Sequence, residues 1–228
     1  MDTNTPVIEL INVSKTYKSG DVTTTALDDI NITINRGEFV AIMGPSGSGK
    51  SSLINIIGLL DHHFKGDYLL DGINVRGLND GKRTDVRGTK IGFVFQQFNL
   101  LKRTSVIDNV LLPTMYNKSR EAVYRAVEVI RRVGLIERIS NKSNQLSGGQ
   151  IQRVAIARAL IMNPSYLLAD EPTGNLDSHT SHEIMRLFQE INNQGTTIVL
   201  ITHEDDIAAY AQRIIRLKDG KIIEERQS

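Results

Sequence analysis

The sequence predicts an α/β protein in which a helical lobe is inserted into a lobe built on β-sheet. Strand-like patterns occur near both ends of the chain, whereas apolar residues in the middle third recur at helix spacing. A glycine-rich loop follows a short apolar run and precedes a helical pattern. That order of strand, loop and helix is typical of α/β folds that bind phosphate.

The first third of the chain is predicted to contain three strands and a helix. Residues 7–13 and 26–34 alternate apolar and polar side chains, as strands with one solvated face do. Residues 39–43 form a continuous apolar run, which indicates a strand covered on both faces. Residues 51–60 come after the glycine-rich loop and read as a helix.

Two hairpins are indicated by Asp-Gly pairs between strand-like segments. Asp71-Gly72 lies within residues 68–75, and Asp219-Gly220 lies within residues 213–225. Asp-Gly favours two-residue hairpin turns because both positions require positive φ. Together with the alternating segments, the early hairpin predicts an antiparallel β subdomain.

The middle third is predicted to be helical, over residues 105–116, 119–133 and 147–162. Val123, Val127 and Ile130 recur at helix spacing with charged residues between them. No strand-like run interrupts this stretch, so we interpret it as a helical lobe inserted into the sheet-bearing lobe. We expect the two lobes to form one domain over residues 1–228. In it, residues 1–97 and 163–228 form the sheet-bearing core and residues 98–162 form the helical lobe.

The last third returns to α/β alternation before the second hairpin. Residues 166–169 and 197–202 are apolar runs typical of buried strands. Residues 178–193 are predicted to form a helix, and residues 204–211 a short one.

The composition indicates a protein with a packed core and argues against several functional and structural classes of protein. The chain has 228 residues, 40% of them hydrophobic and 23% charged, with a net charge of +1 and no cysteine. Near-zero charge argues against a nucleic-acid binder, and the lack of cysteine excludes disulfides and thiolate metal sites. Residues 1–6 do not resemble a signal peptide. No apolar run approaches the roughly 20 residues of a membrane helix, so another polypeptide would have to span any membrane.

The glycine-rich loop is predicted to cradle phosphate. Its sequence matches G-x-x-x-x-G-K-[ST] in full, from Gly44 through Pro45, Ser46, Gly47, Ser48, Gly49 and Lys50 to Ser51. Backbone N–H groups and the helix N-terminus suit an anion, Lys50 can reach the β- and γ-phosphates, and Ser51 can contact Mg²⁺. The alternative is a glycine-rich turn with a surface lysine. The motif does not by itself distinguish kinases, GTPases and ATPases.

An acidic pair and a histidine follow two of the buried strands. Asp170 can hold the water shell of a metal, and Glu171 can act as a general base toward water. The alternative is a strand that ends in two solvated acids. His203 falls at the carboxyl edge of the expected parallel sheet, where ligands bind, although a lone histidine there is more often structural. His62, His63, His179 and His182 are expected on the surface.

A helix is predicted to begin at Ser147-Gly148-Gly149-Gln150 with a capping box, S-x-x-Q. A cap alone does not explain two glycines. Glycines leave backbone N–H groups bare, and bare amides at a helix N-terminus bind anions. We therefore expect this turn to receive an anion that belongs to another chain. A larger residue at Gly149 would then block that approach without harming the monomer.

These segments, in this order, resemble the motifs of ABC ATPases over nearly the whole chain. Residues 44–51 and 166–171 are similar to Walker A and Walker B, and residues 146–150 to the ABC signature. Gln96 resembles the Q-loop glutamine, and residues 174–177 resemble the D-loop. His203 resembles the switch histidine, and Tyr17 resembles the aromatic residue that stacks on adenine.

The resemblance implies an ATP- and Mg²⁺-dependent ATPase that works as a head-to-tail pair. Each ATP would lie between Walker A of one copy and the signature of the other. The implied metal ligands are Ser51, Gln96 and, through water, Asp170; Glu171 would activate water and His203 would contact the γ-phosphate. The implied nucleotide-binding residues are Tyr17, Gly44, Pro45, Ser46, Gly47, Ser48, Gly49, Lys50, Ser51, Ser52, Gln96, Ser147, Gly148, Gly149 and Gln150. Gln97 follows Gln96, so the choice between the two rests on the register of the resemblance.

Residues 92–101, 109–113 and 145–158 resemble the macrolide-exporter, lipoprotein-release and cell-division subgroup (the MacB/LolD/FtsE type). Ile151 departs from it, since another glutamine is frequent there. The subgroup implies a membrane permease partner, a place at the cytoplasmic face of the membrane, and coupling through residues 96–113. A DNA-repair or ribosomal ATPase is disfavoured by the short span from Gln96 to Leu146 and the single cassette. The alternative is the ATPase of a cell-division or peptide-sensing complex that transmits force without transport.

Overall fold

Two β-sheets of different character organise the protein, in a computed structural model that describes residues 5–115 and 120–227. The strands are β1 (Ile8–Ser19), β2 (Val22–Ile34), β3 (Phe39–Met43), β4 (Lys65–Leu70), β5 (Ile73–Asn74), β6 (Ile91–Phe95), β7 (Tyr166–Asp170), β8 (Thr197–Ile201), β9 (Arg213–Lys218) and β10 (Lys221–Gln227). The α-helices are α1 (Lys50–Ile57), α2 (Asp80–Lys90), α3 (Val106–Leu111), α4 (Arg120–Arg132), α5 (Gly148–Leu160), α6 (Ser178–Asn193) and α7 (Asp205–Ala208).

The smaller sheet is antiparallel, with strand order β2-β1-β4-β5, which confirms the predicted β subdomain. Its hairpin turns at Asp71 (φ 49°) and Gly72 (φ 77°), both in the positive-φ region that this turn requires. β1 continues well past the predicted end at Val13. Register shifts between Leu10 and Lys15 interrupt its alternation, so the apolar pattern that marks a strand is lost there.

The larger sheet has six strands in the order β10-β9-β3-β8-β7-β6. The strands from β9 to β6 pair in parallel, and β10 closes one edge as the antiparallel half of the second hairpin. All five residues of β3 and of β8 are buried. The continuous apolar runs of the sequence therefore correspond to strands that are covered on both faces.

Alternate residues of the parallel strands serve two different cores. Phe39 and Ala41 lie in a cluster that includes the buried faces of α5 and α6. Val40 and Ile42 lie in a second cluster with α1 and the antiparallel sheet. The period-2 alternation of a strand thus places one layer on each face of the sheet.

The middle of the chain is helical, as predicted. α3, α4 and α5 pack on one another, and their buried residues join the first core cluster. α3 is shorter than expected and continues as a 3-10 turn, Leu112–Thr114. Residues 116 and 119, the predicted limits of two helices, lie outside the described residues. α4 buries Ala126 and Ile130, whereas Val123 is exposed.

Two elements were not predicted: α2 and β6. α2 is capped by Asn79, whose side chain accepts from Lys82 N. Its only buried residue is Arg83, so it presents no apolar stripe to a sequence reading. β6 is short and precedes Gln96 directly, and its pattern merges with the loop that follows. Within the two described ranges, no helix combines the length and apolar character needed to cross a bilayer.

Candidate nucleotide site

Four parallel strands bring the predicted site residues to one edge of the larger sheet. One row of register partners crosses them, made up of Ile42, Ile201, Asp170 and Phe95. Just beyond this row, residues 44–51 follow β3, His203 follows β8, Glu171 follows β7 and Gln96 follows β6. Segments that are far apart in the sequence therefore converge at the carboxyl edge, where parallel sheets bind ligands.

The glycine-rich loop has a backbone that only glycine fits at its two ends. Gly44 has φ 158°, and a Cβ there would lie 2.3 Å from the carbonyl oxygen of Leu217. Gly49 has φ 105°, and a Cβ there would lie 2.5 Å from the carbonyl oxygen of Ala26. Contacts this short require the neighbouring backbone to move, so both glycines fix the path of the loop against adjacent strands.

The start of α1 has unsatisfied hydrogen-bonding groups. Its N-cap, Gly49, provides no side-chain cap, and its first turn carries no acidic residue. Ser48 Oγ is buried and has no hydrogen-bond partner within the described residues. Lys50 Nζ donates to the carbonyls of Gly44 at 2.6 Å and Pro45 at 2.9 Å, so its charge lies over the loop. Bare amides, a hydroxyl and an ammonium group together suit a phosphate group.

The acidic pair is in direct contact with the predicted histidine. His203 Nδ1 donates to Glu171 Oε1 at 2.7 Å. Glu171 adopts φ 46°, a conformation that is uncommon outside glycine, and its N–H bonds Ile201 O at 2.9 Å. The hydrogen bond and negative charge of Glu171 raise the pKa of His203. Burial, reinforced by repulsion from Glu171, raises the pKa of Asp170, and Lys50 offsets part of that rise.

Gln96 lies against the segment that follows the acidic pair. A Cβ on Gly174 would lie 2.7 Å from Gln96 Nε2, so a side chain there would displace the Gln96 carboxamide. Asn175 Nδ2 donates to Gln96 O at 2.9 Å. Asp177 caps α6 and accepts from Thr180 N at 3.0 Å. The predicted Q-loop and D-loop segments are therefore joined.

Tyr17 lies near the end of β1, and the residue is 43% exposed. Its hydroxyl is 3.3 Å from Ser52 Oγ in the first turn of α1. Lys15 Nζ lies 4.8 Å from the ring centroid. An exposed aromatic side chain thus stands beside the first turn of α1, the helix that follows the glycine-rich loop.

The predicted capping box at Ser147 is confirmed. Ser147 Oγ accepts from Gln150 N at 3.4 Å, and Ser147 N donates to Gln150 Oε1 at 3.1 Å. Ser147 and Gly148 are exposed. The helix start therefore presents a hydroxyl and glycine backbone to solvent.

The expectation that Gly149 tolerates substitution in the monomer is wrong. Gly149 is buried, and a Cβ there would lie 2.5 Å from Thr180 Cγ2. Thr180 cannot easily rotate away, because its Oγ1 donates to Asp177 Oδ2 at 2.6 Å. Gly148 has more room, with the nearest contact of an added Cβ at 3.3 Å to Leu176 Cδ2. The second signature glycine is thus required for packing between α5 and α6.

The signature helix holds both loops of the site, through residues that the sequence did not single out. Gln152 is fully buried and donates from Nε2 to Pro172 O at 2.7 Å, next to Glu171. Arg158 donates to Asn99 O at 2.6 Å and Phe98 O at 3.0 Å, just after Gln96. Burial lowers the pKa of Arg158. Only the fold reveals that these polar side chains of α5 point inward.

The other histidines are exposed, with one exception. His62, His63 and His179 lie on the surface as expected. His182 is half-buried, and its Nδ1 lies 2.9 Å from the Tyr210 hydroxyl, so the surface assignment is wrong for this residue. This contact joins α6 to the residue two positions after α7, which an isolated histidine does not reveal in sequence.

The glycine-rich loop, the acidic pair, the histidine and the serine-capped helix with its two leading glycines define a P-loop ATP-binding cassette. A family model described as ABC transporter matches residues 27–174, so the chain belongs to the ABC transporter family and is an ABC-type ATPase domain. It is 50% identical over its full length to a macrolide export ATP-binding/permease protein, MacB, of Chlorobium luteolum, but spans only 34% of that protein. The chain is thus about a third as long as this relative.

Relatives of similar length also exist. The chain is 49% identical to the ABC transporter ATP-binding protein YvrO of Bacillus subtilis, over 95% of this chain and 96% of that one. A solved structure described as the dimeric structure of MJ0796, an ABC transporter cassette, superposes with a TM-score of 0.85 at 48% identity. It covers 96% of this chain and 98% of that one. This likeness confirms the predicted α/β core with its antiparallel subdomain and helical insertion.

Proposed function

We propose that this chain binds and hydrolyses ATP as one half of a head-to-tail pair and drives a separate membrane permease for export or extraction of a substrate. The observation that carries the proposal is the single sheet edge where residues 44–51, Gln96, Glu171 and His203 converge. A relative, MJ0796, is described in a post-hydrolysis state bound to ADP and Pi. That description supports the same chemistry here.

The phosphates are assigned to the loop and the base to Tyr17. The unsatisfied start of α1 and the orphaned Ser48 hydroxyl fit a polyanion. Lys50 neutralises phosphate charge, while Tyr17 and Ser52 lie on the base side. The nucleotide contacts from this copy are Tyr17, Gly44, Pro45, Ser46, Gly47, Ser48, Gly49, Lys50, Ser51, Ser52 and Gln96.

The metal site is assigned to Ser51, Gln96 and Asp170. All three offer oxygen ligands, which is the donor set that Mg²⁺ prefers. Burial and the negative charge of Glu171 raise the pKa of Asp170 despite the opposing charge of Lys50, a condition that fits a carboxylate facing a cation. Bound Mg²⁺ would supply positive charge against the phosphates. Asp170 would hold the metal through water, and Ser51, in the first turn of α1, would offer its hydroxyl to the ion.

Proton transfer is assigned to Glu171. Its carboxylate takes a proton from the attacking water, and the residue directly follows β7 at the carboxyl edge of the sheet. His203, 2.7 Å away, holds that carboxylate, and we assign to it the contact with the γ-phosphate. Electrostatic stabilisation by His203 and Lys50 then acts on the phosphate charge that develops.

The second half of each site is assigned to another copy of the chain. Ser147, Gly148, Gly149 and Gln150 of a second copy would cover the γ-phosphate with a helix N-terminus. The exposure of Ser147 and Gly148 supports this, as does the dimeric description of MJ0796. No nucleic acid is required.

The docking site of the permease is assigned to a groove between the two lobes. Leu60, Phe93, Pro113 and Met162 line a cavity of about 450 Å³ with Arg158 at its side. Its walls come from the predicted core (residues 1–97 and 163–228) and from the helical lobe (residues 98–162). Arg158 holds the backbone after Gln96, so movement of the lobe is transmitted to the nucleotide. The names of the MacB relatives couple ATP binding to a permease. Such docking places the chain at the cytoplasmic face of the membrane.

The test is the dependence of ATP hydrolysis on chain concentration. Turnover per chain should fall on dilution, and gel filtration should show a dimer in ATP that separates with ADP. Turnover per chain that stays constant to nanomolar concentration, with only monomer present, would contradict the shared site.

A further inference from the structure

One buried cation has no part in the phosphate chemistry. Lys15 is 5% exposed, although lysine is rarely buried unless paired. Its ammonium group lies 2.6 Å from Asp61 Oδ2 and donates to His63 O at 2.6 Å. Both partners follow α1 in the chain, so Lys15 joins β1 to the segment after the helix that starts at the phosphate loop.

The same ammonium lies over the ring of Tyr17. Its distance of 4.8 Å from the centroid is within the range of a cation–π contact. Lys15 and Tyr17 are two residues apart on β1. The Tyr17 hydroxyl is also held, 3.3 Å from Ser52 Oγ. The ring is thus fixed at its face by a cation and at its tip by α1.

We propose that Lys15 is a positioning residue for the nucleotide base, holding the Tyr17 ring so that its free face receives adenine. The inference rests on the proposed stacking of adenine on Tyr17. Asp61 and His63 anchor the ammonium group, which keeps it at the ring. The base and phosphate subsites are thereby connected through one element, α1. The exposed Tyr17 side chain is also held in place before ATP binds.

The test replaces Lys15 by methionine, which keeps the apolar stem and removes the charge. KM for ATP should rise by about 3- to 10-fold while kcat changes by less than about 2-fold, as loss of one cation–π contact predicts. The affinity for inorganic triphosphate should not change. Lys15→Arg should restore KM. Lys18→Met, an exposed lysine on the same strand, is the matched control.

Since Lys15→Met leaves Asp61 without its cation, the double variant Lys15→Met/Asp61→Asn is measured alongside it and should give the same rise in KM. A cycle with Tyr17→Ala separates the explanations. In the Tyr17→Ala background, removal of Lys15 should have no further effect on KM. If Tyr17→Ala weakens ATP binding but removal of Lys15 raises KM equally in both backgrounds, the positioning role of Lys15 is overturned and the stacking assignment stands. A silent Tyr17→Ala would overturn the adenine-stacking assignment as well.

Discussion

Glu171 Oε1 and His203 Nδ1 lie 2.7 Å apart, although each follows a different strand of the parallel sheet. β7 and β8 pair in register, with Asp170 opposite Ile201, and this pairing brings the two side chains together. The base assigned to the reaction is therefore held by the residue assigned to the γ-phosphate. Replacing either Glu171 or His203 should therefore change the hydrogen bonding and the charge environment of the other.

The pKa of His203 should lie above its ordinary value of 6.5 and fall toward it in Glu171→Gln. Glu171 stabilises the protonated imidazole. Because the folded-state pKa is raised, any stabilisation from this pair is present below pH 6.5 and is lost as pH rises through the folded pKa. NMR titration of the His203 imidazole in the wild-type and variant proteins measures this. The same titration midpoint in both proteins would rule out the contact in solution.

Glu171→Gln should bind ATP normally but slow hydrolysis by ~10²–10⁴-fold, the usual contribution of a general base. The amide is nearly isosteric, so the dimer should still form and should accumulate in ATP. Single-turnover hydrolysis measures the loss of rate, and gel filtration measures the accumulation of the dimer. Near-normal turnover would remove Glu171 from the role of base.

Tyr17→Ala should weaken ATP binding by roughly 1–3 kcal/mol, by analogy with base–aromatic stacking in nucleic-acid complexes. Inorganic triphosphate should bind as before, because the phosphate loop is unchanged. Tyr17→Phe keeps the ring and loses only the contact with Ser52, so it should behave nearly as wild type. Equal losses for both ligands would indicate a defect in folding instead.

The two signature glycines should respond differently to aspartate. Gly149→Asp should lower the free energy of unfolding by about 1–3 kcal/mol, because it overpacks against Thr180. Gly148→Asp should leave it within about 1 kcal/mol of wild type, since an acid at a helix N-terminus is tolerated or stabilising. Urea denaturation compares them. Equal destabilisation would show that the packing around Gly149 is not the cause.

The sequence predicts the candidate site from residue types that phosphate and metal chemistry require, but it does not predict the contacts that packing alone decides. β3 and α6 were predicted at their observed limits, because a continuous apolar run and a periodic pattern mark them. α2 was missed, since a surface helix without an apolar stripe lacks that signal. The packing role of Gly149 and the inward direction of Gln152 depend on α6 and the Pro172 segment, which lie far along the chain. No local pattern reports such contacts.

The most direct test of the shared site mixes two inactive chains, Lys50→Ala and Gly148→Asp. A heterodimer of the two has one composite site with both lesions and one site with neither. We predict that an equal mixture recovers ATP hydrolysis to about a quarter of the wild-type rate, since half of the randomly paired dimers carry one intact site. Hydrolysis no greater than the sum of the two variants alone, in a mixture whose heterodimers are seen by native mass spectrometry, would contradict the account.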